Sequence, residues 1–435
     1  MAPAYEITPE ARFTCQQCAG CCHNWLIFLT PEEYDRLSNH DWAAESPRLA
    51  GRPLFVEQAP PGRDGPKAVR LARIEGACAF LEPDGLCLIH KVQGMAAKPS
   101  PCQQYPFHFA RTPDGATATL DFACTAVLAD TGARLAEHPE DLDAAYQVMQ
   151  RRVALPSHGL PVSGVLGERL WLGPKQPLHW RNYRTLESAL LGALERADRS
   201  LETRLLGLDR LLQLTAARFG AALGAPNDEF DAWAGTLAGS DYAALWEVTP
   251  PAKLSAPRQR AVLAPFIGGL EQQWQAMDAA NAGGRGIGTR LTLAIIVANG
   301  VGPLQLAGYS ATLDQGQMRR VRFPQDDPAL AHLYTRYLKS LIQRKSLVDD
   351  TDVFQGYRYF LLSFAAARWY AVARAALAGR SVAELDDLRQ GIRLVEKGLG
   401  HAEGLRSGAT QWVVRFLFRH LASPATMIHN FYTGD

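Results

Sequence analysis

The sequence predicts a mainly α fold: a small, irregular, cysteine-rich metal-binding module with short strands over residues 1–130, then a large helical body over 131–435, subdivided near 222–326. Three observations carry that expectation. All eight cysteines lie at or before Cys124, and half of them crowd into Cys15-Gln16-Gln17-Cys18-Ala19-Gly20-Cys21-Cys22. The same front segment breaks its short apolar runs with proline and glycine turn signals. Beyond about residue 130 the apolar residues recur at helical spacing instead.

In chain order, residues 1–14 lead into the cysteines, and the apolar run Trp25–Leu29 reads as a buried strand. Thr30, Pro31 and Glu33 form a helix start, with Thr30 as N-cap and Glu33 at the capping-box position. Residues 41–66 read as loop. Val69 to Ile74 alternates as a strand does before Gly76 and Cys78. Pro83-Asp84-Gly85 then marks a turn that sets Cys78 and Cys87 facing each other. Three prolines, at 99, 101 and 106, pin the backbone around Cys102. A third turn, Thr112 to Gly115, leads to a strand over Thr117–Phe122 that ends near Cys124.

The body reads as long amphipathic helices over Leu186–Phe219, Ala329–Leu347, Tyr357–Leu377 and Gln411–Leu421. Another is opened by a Ser381/Glu384 capping box and reaches about Leu399. Residues 222–326 are richer in proline and glycine and less regular.

Composition excludes several function classes. With 45 basic and 44 acidic residues the net charge is +1, so no long-range field draws in nucleic acid or an anionic membrane. No stretch reaches the ~18–20 consecutive apolar residues of a membrane span; the best run is Leu291–Val297. The beginning, Met1 to Thr8, lacks a basic segment followed by an apolar run, which predicts a cytoplasmic protein. There thiols stay reduced, so clustered cysteines point to metal rather than disulfides.

Thiolates are the ligands of zinc and of iron-sulfur clusters, and eight suffice for two four-ligand sites. The candidate ligand set is Cys15, Cys18, Cys21, Cys22, Cys78, Cys87, Cys102 and Cys124. The C-x-x-C-x-x-C spacing is that by which ferredoxins wrap three corners of a four-iron four-sulfur cluster, whereas structural zinc more often takes two separated C-x-x-C pairs. Neighbouring side chains of an extended segment point oppositely, so Cys22 can turn from Cys15, Cys18 and Cys21 toward the later cysteines. One polynuclear site and two adjacent sites are both open, as is zinc. His23, His90, His108 and Tyr105 lie near the cysteines and read as hydrogen-bond partners or packing. Gly283 to Gly288 meets neither a Rossmann nor a P-loop context and reads as linker. The aromatic row Tyr357, Tyr359, Phe360, Phe364, Trp369 and Tyr370 could line a lysine pocket, although helical aromatics are more often core.

The succession C-x-x-C-x-x-C-C, C-x-F-L, a second cysteine before Leu-Ile-His, and P-x-x-C-x-x-Y-P-F resembles the cysteine-cluster (zinc- or iron-chelating, YkgJ-type) domain over residues 15 to about 124. The family's usual arginines before Pro99 and after Cys102 are Lys98 and Gln103 here, and an aromatic tyrosine is His90. A helical body behind such a module, with Arg181-Asn182-Tyr183-Arg184-Thr185-Leu186-Glu187, is similar to the flagellin lysine-N-methylase (FliB-type) family. That resemblance implies methyl transfer from S-adenosylmethionine to a protein lysine, with flagellin or another surface protein as partner and an iron-sulfur cluster as cofactor. The alternatives are a non-catalytic metal-binding protein whose helical body binds a partner, and another iron-dependent modifying enzyme on the same scaffold.

Overall fold

The computed structural model describes residues 5–8, 10–23, 25–58, 68–154, 165–238, 243–247, 253–278, 294–300, 302–306, 311–349, 351–400 and 408–433. The chain is 58% helical, with a small strand-containing region at the front and a helical body behind it. Gly283 to Gly288 lies outside the described residues, and the apolar run from Leu291 is described only from residue 294.

Two apolar cores organise the fold. The smaller gathers Ile27, Leu29, Leu37, Trp42, Phe80 and Ile89, with Cys78, Cys87 and Cys102 packed against its edge. Its first helix, Pro31–Ser38, carries the expected capping box. Glu33 N–H donates to Thr30 Oγ1 at 3.2 Å, and Thr30 N–H to Glu33 Oε2 at 2.9 Å. Trp25–Leu29 is not a regular strand, because only Phe28 bridges, to Arg70. A strand does form at Phe55–Gln58, inside the expected loop, paired antiparallel with Ala68–Leu71.

The larger core joins the rest of the front region to the body. Phe107–Thr112 and Gly115–Leu120 form a hairpin around the expected Pro-Asp turn, and Glu6–Ile7 pairs parallel to its second strand. Phe107, Phe109 and Leu120 from this sheet share one apolar cluster with Leu186, Tyr337 and Leu361 from the helices.

The expected helix over Leu186–Phe219 is two, Trp180–Leu194 and Leu201–Arg218. The chain breaks between them because Ser200 caps the second helix through Thr203 N–H. The first follows a hairpin of Arg169–Gly173 with Gln176–His179 that helical periodicity does not foretell. Pro328–Gln343, Val353–Leu377 and Gly408–His420 lie where expected. The helix starts at Leu385, four residues after Ser381, and the Glu384 N–H donates to Asp387. The irregular stretch 222–326 contains a helix of 23 residues, Ala256–Asp278, with Pro265 inside it.

Val353–Leu377 is the one described helix long and apolar enough by length and composition to cross a membrane, and 78% of its most apolar window is buried inside the fold. Its aromatics are core: Tyr357, Phe360, Phe364 and Tyr370 are each at most 3% exposed. Leu385–Gly400 packs along it at Gly391, where a Cβ would sit 2.3 Å from the Ala367 carbonyl oxygen, so only glycine fits. The segment Arg181–Glu187 is an architectural hub. Asn182 Nδ2 donates to the carbonyls of Leu223 and Ala225, Arg184 pairs with Glu6, and buried Glu187 pairs with buried Lys345 at 2.7 Å.

Asp209, on Leu201–Arg218, is 5% exposed, and burial pushes its carboxyl up to about 6 despite the Arg358 charge and the Gln213 hydrogen bond. The folded chain thus holds this proton where the unfolded chain releases it. Stability from this group is fully present below about pH 4 and is lost as pH rises to about 6, by about 3 kcal/mol. Asp209→Asn is expected to keep the Gln213 contact, flatten the fall between pH 4 and 6, and raise the denaturation midpoint at pH 7. Urea titrations of both proteins across that range check it; parallel pH profiles contradict the assignment.

Candidate metal centre

The first four cysteines sit on a tight loop. Gln17 and Ala19 take left-handed backbone conformations, with φ of 52° and 55°. Such values are costly for residues with a side chain and curl the chain sharply. Gly20–Cys22 is then a single 3-10 turn, with Cys22 N–H bonded to Ala19 O at 2.8 Å. The alternation expected of an extended segment therefore does not apply. The Cys21 and Cys22 thiols act directly on each other rather than on separate surroundings, Cys22 lowering Cys21 and being raised in turn.

The later cysteines come from short elements built as the turn signals predict. Cys78 ends the strand Ala77–Cys78, and Cys87 bridges Leu81 across the Pro83-Asp84-Gly85 turn. Cys102 rides on Ser100–Gln104. That helix is anchored by Glu33, whose Oε1 accepts from Ser100 N–H at 2.7 Å and Oγ at 2.6 Å. The capping-box carboxylate thus also places a candidate ligand. Gln103 Nε2, where the cysteine-cluster family has an arginine, donates to the carbonyls of Ala96 and Lys98 and braces the same turn.

Electrostatic neighbourhoods show which thiols are together. Burial works against the Lys98 charge, but Cys102, Cys87, Cys21 and Cys22 together more than offset it and hold the lysine charged. Cys21, hydrogen-bonded by Cys22 and facing Lys98 and Lys397, is lowered to about 6. Cys22 is raised as the partner that keeps the proton, with Cys78 and Cys102 adding to the rise. Burial pushes Cys78 up to about 12 and Cys124 up to about 11, and Cys102 well above its ordinary value. Four thiols, Cys21, Cys22, Cys87 and Cys102, therefore share one neighbourhood with Lys98, and Cys78 adjoins them. Cys124 faces Cys18 and Asp121 and packs on the larger core. Cys15, Cys18 and Cys21 are exposed on the loop, the other five half-buried.

Among the described residues no three His, Cys, Asp or Glu side chains stand close enough together to hold a metal ion as they are placed. Thiolates repel one another and buried thiols hold their protons, so drawing four sulfurs to bonding distance takes the cation itself. The donor chemistry fits a soft thiolate-bound metal, since Cys78, Cys87 and Cys102 pack on the smaller core, Cys124 on the larger, and Lys98 balances the charge of the thiols beside it.

Residues 14–125 match the CxxCxxCC family model. Its description is a candidate zinc- or iron-chelating domain, and it spans well under half of the chain. No curated protein matches the chain. No solved structure matches it either. The matched segment takes in every cysteine, from the curled loop to Cys124 at the start of Thr125–Ala129.

Of the flanking residues, His90 is exposed and His23 lies at the surface, its basicity lowered by partial burial and by Lys397, Arg393 and Arg73. Tyr105 packs edge-on against Trp25 at 4.6 Å between ring centres, and its buried hydroxyl has no hydrogen-bond partner among the described residues. Two further residues belong to the domain's surroundings, although they come from the far end of the chain. Arg393 and Lys397, on Leu385–Gly400, reach the Gly20 carbonyl. A Cβ on Gly20 would lie 2.8 Å from Arg393 Nη2 and 3.4 Å from Cys18 Sγ, so the turn is cradled closely. The one signal for them in the sequence is the row Arg389, Arg393, Lys397, three cations one helical turn apart.

Proposed function

We propose that this chain is a thiolate metalloprotein whose cysteine domain holds iron as an iron-sulfur cluster. We further propose that it transfers a methyl group from S-adenosylmethionine to a lysine of a protein substrate such as flagellin. The observation that carries the metal reading is the gathering of Cys21, Cys22, Cys87 and Cys102 around one half-buried lysine, Lys98, with Cys78 beside the same thiols. Cys22, Cys78, Cys87 and Cys102, with Cys21, would hold one centre, and Cys15, Cys18 and Cys124 would contribute to a second or enlarge the first. The C-x-x-C-x-x-C spacing favours iron-sulfur over zinc. Such a cluster supplies an iron that can bind the amino and carboxyl groups of the methyl donor. Methyl transfer itself is supported by the likeness to the flagellin lysine-N-methylases, a cysteine module ahead of a helical body.

The non-catalytic reading has an observation in its favour too. The aromatic row on Val353–Leu377 that would suit a lysine side chain is mostly buried in the core. In that reading the metal staples the seam between the two cores, and the body binds a partner.

Anaerobic purification followed by metal and acid-labile sulfide analysis tests the metal. Iron with sulfide in near-equal amounts is expected, and tightly held zinc without sulfide contradicts the cluster. Incubation of the loaded protein with methyl-labelled S-adenosylmethionine and flagellin tests the reaction. Label on lysine is expected; an intact cluster with no label leaves the non-catalytic reading standing.

A further inference from the structure

We propose that the helix Leu385–Gly400 completes the metal centre from outside the cysteine domain. In this arrangement Arg393 and Lys397 are positioning residues that hold the cysteine turn and balance the charge of the metal-thiolate group. The inference rests on the thiolate-metal reading above.

The geometry is a two-point grip. Arg393 Nη2 donates to Gly20 O at 2.9 Å and Lys397 Nζ donates to the same oxygen at 3.1 Å. Lys397 Nζ also donates to His23 O at 3.0 Å and stands 5.8 Å from the centre of the Trp25 ring. The carbonyls on both sides of Cys21 and Cys22 are thus held by one helix.

Packing and charge together imply an anionic occupant. Lys397 is 3% exposed, and Arg393 lies one turn away on the same helix face. Like charges at that spacing repel, and a buried cation loses its hydration. Neutral carbonyls return only part of that cost. Nearby carboxylates return only a share of the rest. Glu396, which precedes Lys397, is taken by Arg344 and Tyr337, and Asp121 acts on Lys397 through space without a hydrogen bond to it. Among the described residues neither Arg393 nor Lys397 forms an ion pair with a carboxylate. Lys397 faces the Cys21 thiol, and Arg393 lies over the Gly20 turn beside Cys18. A divalent ion on four thiolates leaves two negative charges in a half-buried seam, and the two cations supply the compensation such a group needs.

The test uses the full chain, with divalent cobalt as the probe and a competing chelator to read affinity. Wild-type protein is expected to bind cobalt with thiolate charge-transfer absorption. Lys397→Met and Arg393→Gln are each expected to lower affinity by about 10–100-fold, the range for groups that support ligands from outside, while Lys397→Arg restores most of it. The readout that separates charge balance from mere support is the melting temperature of the metal-free protein. Exchange of a buried lysine for methionine is expected to leave it unchanged or raise it, whereas a structural strut would lower it. Wild-type binding with both variants within twofold of it overturns the inference alone. A fall in metal-free melting temperature with affinity of the folded fraction unchanged overturns it as well. Wild-type protein that binds no cobalt overturns the thiolate reading beneath it.

Discussion

Cys102→Ser is expected to lower metal affinity by more than about 100-fold, beyond what loss of an outer partner costs, and to abolish the metal-dependent part of the protein's thermal stability. Cys102 occupies the middle of the shared neighbourhood, acting on Lys98, Cys22 and Cys78. Its backbone is fixed by Pro99 and Pro101 and by the Glu33 anchor at Ser100, so no neighbouring sulfur can slide into its place. Serine keeps the shape but its hydroxyl stays protonated and is a hard donor, unsuited to a soft thiolate site. Because metal binding to such a domain is also folding energy, wild-type melting should fall on chelation while the variant's should hardly change. Metal content per chain and melting curves with and without chelator check this. Cys15→Ser is the comparison: Cys15 is not among the thiols around Lys98, so its loss should cost this centre much less than the loss of Cys102. Full metal retention by Cys102→Ser would falsify the assignment of Cys102.

The second large effect is in the body. Arg344→Met is expected to destabilise the fold by about 3–5 kcal/mol, the cost of stranding a buried partner charge. Arg344 clasps Glu396 with two nitrogens, Nη1 to Oε2 at 2.5 Å and Nη2 to Oε1 at 2.7 Å, and Glu396 is only 5% exposed. Tyr337 adds a third hydrogen bond at 3.0 Å, which cannot replace the charge. The doubly substituted Arg344→Met, Glu396→Gln protein should recover most of the loss, since no unpaired charge then remains. Denaturant unfolding of the single and double variants decides the matter; a single-variant loss under about 1 kcal/mol would show the pair to be dispensable. Glu396 and Lys397 are neighbours on one helix, so the single variant should weaken metal binding too.

Much of the architecture was legible because its causes are local. The Thr30 cap, the Pro83-Asp84-Gly85 turn and the Pro113-Asp114 hairpin each follow from residues within four positions, and each forms as expected. Where the reading slipped, a nearby competitor won. Asp387 took the capping-box role expected of Glu384, three residues further on, and Ser200 split one long helical pattern into two. The loop Cys15–Cys22 shows the same limit more sharply, since its curl depends on left-handed backbone at Gln17 and Ala19 that neither residue type signals.

The sequence by itself determined that the sulfur lies in one front module, that its spacing suits a metal, and that a helical body follows. Cysteine number and order are covalent facts, and caps and periodicity act over one or two turns. Only the tertiary structure decided that Cys21 and Cys22 stay together, that Glu33 anchors Cys102, and that Arg393 and Lys397, 373 and 377 residues from Gly20, close over the turn. In sequence those two cations are indistinguishable from the solvated face of an amphipathic helix. Their meaning arises from burial against thiols, and burial is a property of the folded chain.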